Sequence, residues 1–132
     1  MRKVENFFYE DLSYKIRGAC FNAHNTLGGG HKEGIYQKAL AIEFGKLCIK
    51  FEREKSLTIR YENESIGVYR PDFLINEEII LELKAVDFMP KSYEVQLLHY
   101  LKSTKLPLGF LINFGPQKVE IRRRVNFISV DQ

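Results

Sequence analysis

Between Ile79 and Val86 the chain reads IILELKAV, an almost unbroken apolar run in which only Glu82 and Lys84 carry charge. A run this short and this apolar marks a strand covered on both faces, at the centre of a sheet with helices packed against it. Ile79, Leu81 and Leu83 then point to one covered face. Side chains alternate along a strand, so Glu82 and Lys84 share the other face with Ile80. Unpaired charges are costly to bury, so the two need a partner, a metal or a water-filled cleft. An ion pair at a solvated strand end would satisfy them as well as a functional site would.

The rest of the chain supplies the covering layers. From about Asp11 to Leu27, Leu12, Ile16, Ala19, Cys20, Ala23 and Leu27 recur at helical spacing, with Asp11 as the expected N-cap. Gly28 to Gly30 close that helix; no Gly-Lys-Ser/Thr follows, so they read as a cap and tight turn and not as a phosphate loop. A second helix is predicted from about Lys32 to Lys46, with Ile35, Tyr36, Ala39, Leu40 and Phe44 along one face. After Leu47 come three β-rich runs, FEREKSLTIRYE, SIGVYRPDFLI and EIILELKAV, joined by the polar turns ENES and NEE. Pro90 opens a third helix, PKSYEVQLLHYLKST, with Tyr93, Val95, Leu97, Leu98 and Leu101 as its mainly apolar side. LPLGFLINFG returns as a strand, and KVEIRRRV and NFISV are weaker strand candidates. The predicted order is α-α-β-β-β-α-β-β, without repeat or linker: an α/β (α+β) domain over residues 1–132 whose mixed central sheet is flanked by helices.

A length of 132 residues suits one domain burying roughly two-thirds of its unfolded surface, alone or as a small oligomer such as a homodimer. With 45% hydrophobic and 28% charged residues the composition excludes a disordered chain. A net charge of +3 fits a polyanionic partner without requiring one. Cys20 and Cys48 form no CxxC and sit in apolar helical contexts, which predicts buried thiols in a reducing compartment and leaves no ligand set for an iron–sulfur cluster. MRKVENFFYEDL lacks the apolar core of a signal peptide, and no apolar run reaches the roughly 18 residues of a membrane span. These features predict a cytoplasmic protein with no membrane partner. His24, His31 and His99 lack ligand spacing and read as surface or capping residues, and Ser13, Ser92 and Ser103 lack the setting of a nucleophile. Arg122 to Arg124 are the densest basic run, either a solvated face or a contact to backbone phosphates.

Asp72 shifts the balance at Glu82. It follows Pro71, and a short hairpin around Asn76 would bring the two carboxylates onto adjacent strands and one face. Two close carboxylates repel unless a divalent cation neutralises them, and hard oxygen donors suit magnesium or manganese. A lysine beside such a site can polarise an attacking water or hold a phosphate. Asp72, Glu82 and Lys84 together describe metal-assisted phosphodiester cleavage.

RPDF followed by ELK resembles the PD-(D/E)XK nuclease superfamily, whose core is a mixed sheet flanked by helices in the order αβββαβ. GHKEGIY, Gly30 to Tyr36, has the form G-x-x-E-x-x-Y, and QLLHY, Gln96 to Tyr100, has the Q-x-x-x-Y form of RecB-type nucleases. From about Leu12 to Val125 the chain is similar to the GxxExxY family within that superfamily, with all four motifs in order. The resemblance implies a restriction-endonuclease-like core and a Mg2+- or Mn2+-dependent nuclease acting on nucleic acid, with DNA the expected polymer. It implies Asp72 and Glu82 as metal ligands, Lys84 as the catalytic lysine, Glu33 as an added helix-borne carboxylate at the metal, and Gln96 and Tyr100 along the far wall. Positions four apart on a helix share a face, so Gln96 and Tyr100 can both reach the site. Glu33 at a helix start is also favoured by the dipole alone, and Tyr36 reads best as a core-edge tyrosine with a satisfied hydroxyl. The alternative function is a nuclease-fold module that binds nucleic acid or protein without useful turnover.

Overall fold

The computed structural model describes residues 2–126, with side chains described from residue 9 onward. Helices α1 (Arg2–Leu27) and α2 (Glu33–Lys46) are followed by β1 (Phe51–Arg53), β2 (Leu57–Tyr61), β3 (Glu64–Tyr69), β4 (Phe73–Ile75) and β5 (Ile79–Lys84). Helix α3 (Lys91–Thr104) then leads to β6 (Leu108–Phe114) and β7 (Val119–Val125). Five strands form a mixed sheet in the order β1-β4-β5-β6-β7, and β2 with β3 forms a separate two-stranded sheet.

The apolar run IILELK is the middle strand of the five, antiparallel to β4 and parallel to β6. Parallel neighbours need a crossover, which α3 provides on one face of the sheet. Ile79, Leu81 and Leu83 are buried on the opposite face, in a cluster with Ile16, Ala19 and Cys20 of α1 and Tyr36, Leu40 and Phe44 of α2. Ile80 points the other way, into a cluster with Leu97 and Leu101 of α3 and Leu111 of β6. The expected two-sided covering of this strand is therefore present.

Two of the three predicted β-rich runs are each broken in two, so five strands precede α3 instead of three. FEREKSLTIRYE breaks after Arg53, where Glu54 adopts a φ of 53°, and SIGVYRPDFLI breaks at Pro71, which has no N–H to give a ladder. The middle pieces pair with each other as the β2–β3 hairpin, turning through Glu62 and Asn63 at φ 48° and 68°, the signs of a type I′ turn. Asn76 and Glu77, at φ 52° and 59°, turn β4 into β5.

Smaller corrections share one cause, that local signals lose to packing. Helix α1 begins well before Asp11, since residues 2–10 contain neither Gly nor Pro; Asp11 lies inside it and pairs with Lys15 at 3.5 Å instead of capping. Pro90 stands at the N-cap of α3 and not in its first turn. NFISV falls outside the described residues beyond Asn126. Cys20 is buried, with its thiol pushed up to about 12 by burial, whereas Cys48 is exposed just past α2. His24 is buried and not a surface residue: its Nε2 stands 2.8 Å from the carbonyl of Gly115, so that nitrogen carries the proton and donates.

The arginine run largely serves the fold. Glu94 of α3 is buried, and both Arg122 and Arg124 of β7 pair with it, while Arg122 also grips Glu120 at 2.6 Å. These ion pairs tie the crossover helix to the edge strand beyond β6. Glu94→Ala should destabilise the protein by about 3 kcal/mol in urea unfolding, because two partly buried guanidinium groups lose their shared carboxylate. A loss under about 1 kcal/mol would show that the cluster contributes as little as an exposed pair.

Candidate active site

Register fixes the central pair. Phe73 of β4 lies opposite Leu81, and one further step of the antiparallel ladder puts Asp72 opposite Glu82. Beyond Phe73 the chain bends away at Pro71, and side chains replace the lost main-chain pairing. The N–H of Leu83 donates to Asp72 Oδ2 at 2.7 Å, and the N–H of Asp72 donates to Glu82 Oε1 at 3.2 Å. Each carboxylate is thus held by a backbone amide of the opposing strand.

Burial pushes the Glu82 carboxyl up to about 7, with the charge of Asp72 adding to the effect and the amide of Asp72, the Tyr69 hydroxyl and Lys84 opposing it. Asp72 is also raised, by burial first, against the lowering influence of the Leu83 amide and Lys84. Glu33, at the first position of α2, is raised by partial burial and by Asp72 and lowered by Lys84. It therefore senses the same cluster although the residue as a whole is exposed.

Lys84 follows Glu82 on the same face and is half-buried, with Nζ 4.7 Å from the centroid of the Tyr93 ring on α3. It makes no salt bridge among the described residues, so the simple Glu–Lys ion pair is not what holds it in place. The ring face stabilises the ammonium while leaving its N–H groups uncommitted to a carboxylate. Tyr100 stacks on Tyr69, centroids 3.7 Å apart and planes 5° from parallel. Gln96 lies one turn before Tyr100 on that helical face, exposed and without a hydrogen bond among the described residues.

Three supporting residues escaped the sequence reading. The buried hydroxyl of Tyr69 is near enough to Glu82 to influence its protonation, yet closes no hydrogen bond of good geometry. Gln37, buried one turn after Glu33, directs its amide nitrogen at the Asp72 carbonyl, 3.4 Å, and at Asp72 Oδ1, 3.5 Å, while its own oxygen accepts from Arg53 at 3.0 Å. Tyr93 supplies the surface under Lys84. The spacings Glu33–Gln37 and Tyr93–Gln96–Tyr100 were available in the sequence as helical faces; the Arg53 link was not, because it joins β1 to α2.

Tyr36 behaves as expected, fully buried with its hydroxyl donating to the Gly28 carbonyl at 2.6 Å and accepting from the His31 amide at 3.3 Å. The G-x-x-E-x-x-Y spacing thereby acquires a physical meaning: the tyrosine clamps the glycine turn that delivers Glu33. A Cβ on Gly29 would fall 2.2 Å from the Pro116 carbonyl oxygen, so only glycine lets this turn rest on the β6–β7 loop.

The Asp72–Glu82 pair suits a hard divalent cation: two oxygen-only donors, partly buried, in which one carboxyl is raised by the other's charge, a repulsion a cation would relieve. Among the described residues no group of three or more His, Cys, Asp or Glu side chains is arranged to hold a metal ion. Glu33 consequently stands at the margin of the pair and not in one closed set with it. No helix among the described residues is long and apolar enough to cross a membrane.

A mixed five-stranded sheet, a crossover helix and paired carboxylates at the end of the central hairpin define a restriction-endonuclease-like core. The chain belongs to the PD-(D/E)XK nuclease superfamily, whose family model matches residues 10–124. Among solved structures, one described as the crystal structure of SSO0001 is similar in fold, with a TM-score of 0.55 at 22% identity over 73% of this chain. The likeness takes in 50% of that protein's chain, so this sequence spans about half its length. No curated protein matches the sequence.

A carboxyl raised from 4.5 to about 7 keeps a proton in the folded state that the unfolded chain has already released. The metal-free protein should therefore lose stability as the pH rises across that interval. Glu82→Gln should be more stable than the parent at pH 8 by up to about 3 kcal/mol and indistinguishable from it near pH 4, read by urea unfolding in chelator. A parent whose stability does not change across this range would contradict the burial of this carboxylate.

Proposed function

We propose that the chain is a divalent-metal-dependent nuclease hydrolysing phosphodiester bonds of nucleic acid, with DNA the expected polymer, and that it groups with the GxxExxY proteins of its superfamily. The observation that carries the reading is the cross-strand pair Asp72–Glu82 with Lys84 on the same face of the central strand. The two carboxylates complete the hydrogen bonding of the strands, but strand structure does not account for an amine beside them that makes no salt bridge among the described residues.

Asp72 and Glu82 would hold Mg2+ or Mn2+, with Glu33 close enough to complete or adjust the site through water. When bound, such an ion neutralises phosphate charge and makes its bound water more acidic. Lys84 would orient and polarise the water that attacks phosphorus, a role supported by its ammonium resting on the Tyr93 face. Gln37 keeps the Asp72 carboxylate turned toward Glu82, with Arg53 fixing the amide's orientation. Gln96 and Tyr100 would line the far wall, Tyr100 through its stack on Tyr69.

A second reading, binding of nucleic acid or protein without useful turnover, is favoured by the lack of a ready three-carboxylate group among the described residues. Catalysis separates the two. Lys84→Met keeps much of the stem's packing and removes the charge, so it should cut single-stranded, duplex or branched DNA at least about a hundredfold more slowly while binding manganese normally. A parent that retards these substrates in a gel but never cuts them with magnesium or manganese would establish the binding module. Gln37→Leu should weaken manganese binding about tenfold in calorimetry with little change in melting temperature, as expected for a group that orients a ligand. Unchanged affinity would remove Gln37 from the site.

A further inference from the structure

We propose that Phe88 is a stacking platform for an unpaired base, so that the nucleic acid taken by the site is single-stranded next to the phosphate it holds. The proposal rests on the nucleic-acid reading of Asp72, Glu82 and Lys84 and names the form of the substrate. Phe88 is 77% exposed, an unusual state for a phenylalanine. Its display is imposed by the backbone on either side. Asn113 of β6 holds Val86 from both directions, accepting from its N–H at 2.9 Å and donating to its carbonyl at 2.9 Å. On the other side Met89 is buried in the cluster that contains Tyr69, Tyr93 and Tyr100. Phe88 thus lies, with Asp87, in a short exposed stretch between two anchored residues, Val86 and Met89.

Its place follows from closure of the loop. Lys84 ends β5, Tyr93 lies in the first turn of α3, and the two are in contact through the ammonium and the ring. The segment 85–90 is therefore a loop that leaves the site and returns to it through the first turn of α3, and Phe88 sits near its middle. Four residues from Lys84, the Cα of Phe88 lies within about 14 Å of the lysine's Cα by chain reach alone, the scale of two nucleotides. Lys84 and Lys91 flank this loop and Asp87 lies within it, and the occupant follows from the site the loop adjoins: the polymer whose phosphate Lys84 would meet. An exposed aromatic beside a site that holds the phosphate backbone is an arrangement by which proteins hold single strands without reading their sequence.

The chain contains no tryptophan, so Phe88→Trp places a single reporter at the proposed contact. In calcium, to prevent cutting, a short oligothymidine should quench that fluorescence, and a strand of the same length with abasic sites should not. Phe88→Ala should bind the oligothymidine about five- to a hundredfold more weakly than the parent, the affinity equivalent of one base stack. It should bind the abasic strand equally well. Equal binding of both strands by Phe88→Ala and parent would overturn the proposal, as would a parent that prefers blunt duplex. Self-association abolished by Phe88→Ala, with oligonucleotide binding unchanged, would assign the ring to a protein contact and likewise overturn it. A parent that stacks bases in this assay but never cuts with magnesium supports the platform while defeating the nuclease reading. A parent that cuts single strands as fast after Phe88→Ala, and binds them as tightly, does the reverse.

Discussion

The exchange of hydrogen bonds between Asp72 and β5 is the contact on which the site depends. Main-chain pairing of β4 with β5 runs only from Ile75 to Phe73, because Pro71 ends the ladder. The amide of Leu83 then needs an acceptor at the edge of the core, and the Asp72 carboxylate supplies it, while the amide of Asp72 is taken by Glu82. The same two bonds finish the sheet and set two carboxylates side by side. Removing the acid from either position would therefore disturb both strand pairing and local charge, which is why these residues belong to the architecture as much as to the chemistry.

Around that pair the helices contribute by their ends and faces. Helix α2 arrives through the glycine turn clamped by Tyr36, whose ring stacks on Phe114 at 4.4 Å, and it brings Glu33 and Gln37 to the rim one turn apart. Helix α3 presents Tyr93 and Tyr100 to the opposite side, and its own angle is fixed by Glu94 gripping two arginines of β7. The site is thus enclosed by elements on both sides of the sheet, each secured by a contact remote from the carboxylates. The β2–β3 hairpin closes the arrangement by placing Tyr69 between Glu82 and Tyr100.

Likeness to other proteins reaches as far as the core. The superfamily model covers nearly all of the chain, whereas the likeness to the solved structure takes in 50% of that chain at 22% identity, which speaks to fold alone. Function in such folds belongs to the site. The features that bear on it are local: a raised Glu82, an ammonium on a tyrosine face, and an aromatic ring displayed by an anchored loop.

The sequence by itself determined the middle strand, the three helices, and the pairing of Asp72 with Glu82. Each rests on a short-range rule: apolar continuity, a 3.6-residue period, or a hairpin whose turn residues tolerate positive φ. Tertiary structure decided what depends on residues far apart in the chain. The runs containing β1–β2 and β3–β4 each read as one strand but break at Glu54 and at Pro71, and which pieces join the main sheet and which form the separate hairpin depends on pairings between distant residues. His24 looked like a surface residue until Gly115, 91 positions away, offered it a carbonyl. Arg122 and Arg124 looked free until a buried Glu94 claimed them, and Gln37 had no visible role until Asp72 and Arg53 met it from opposite sides. A buried polar group must find its partner wherever the fold brings one, and sequence spacing contains no information about that distance.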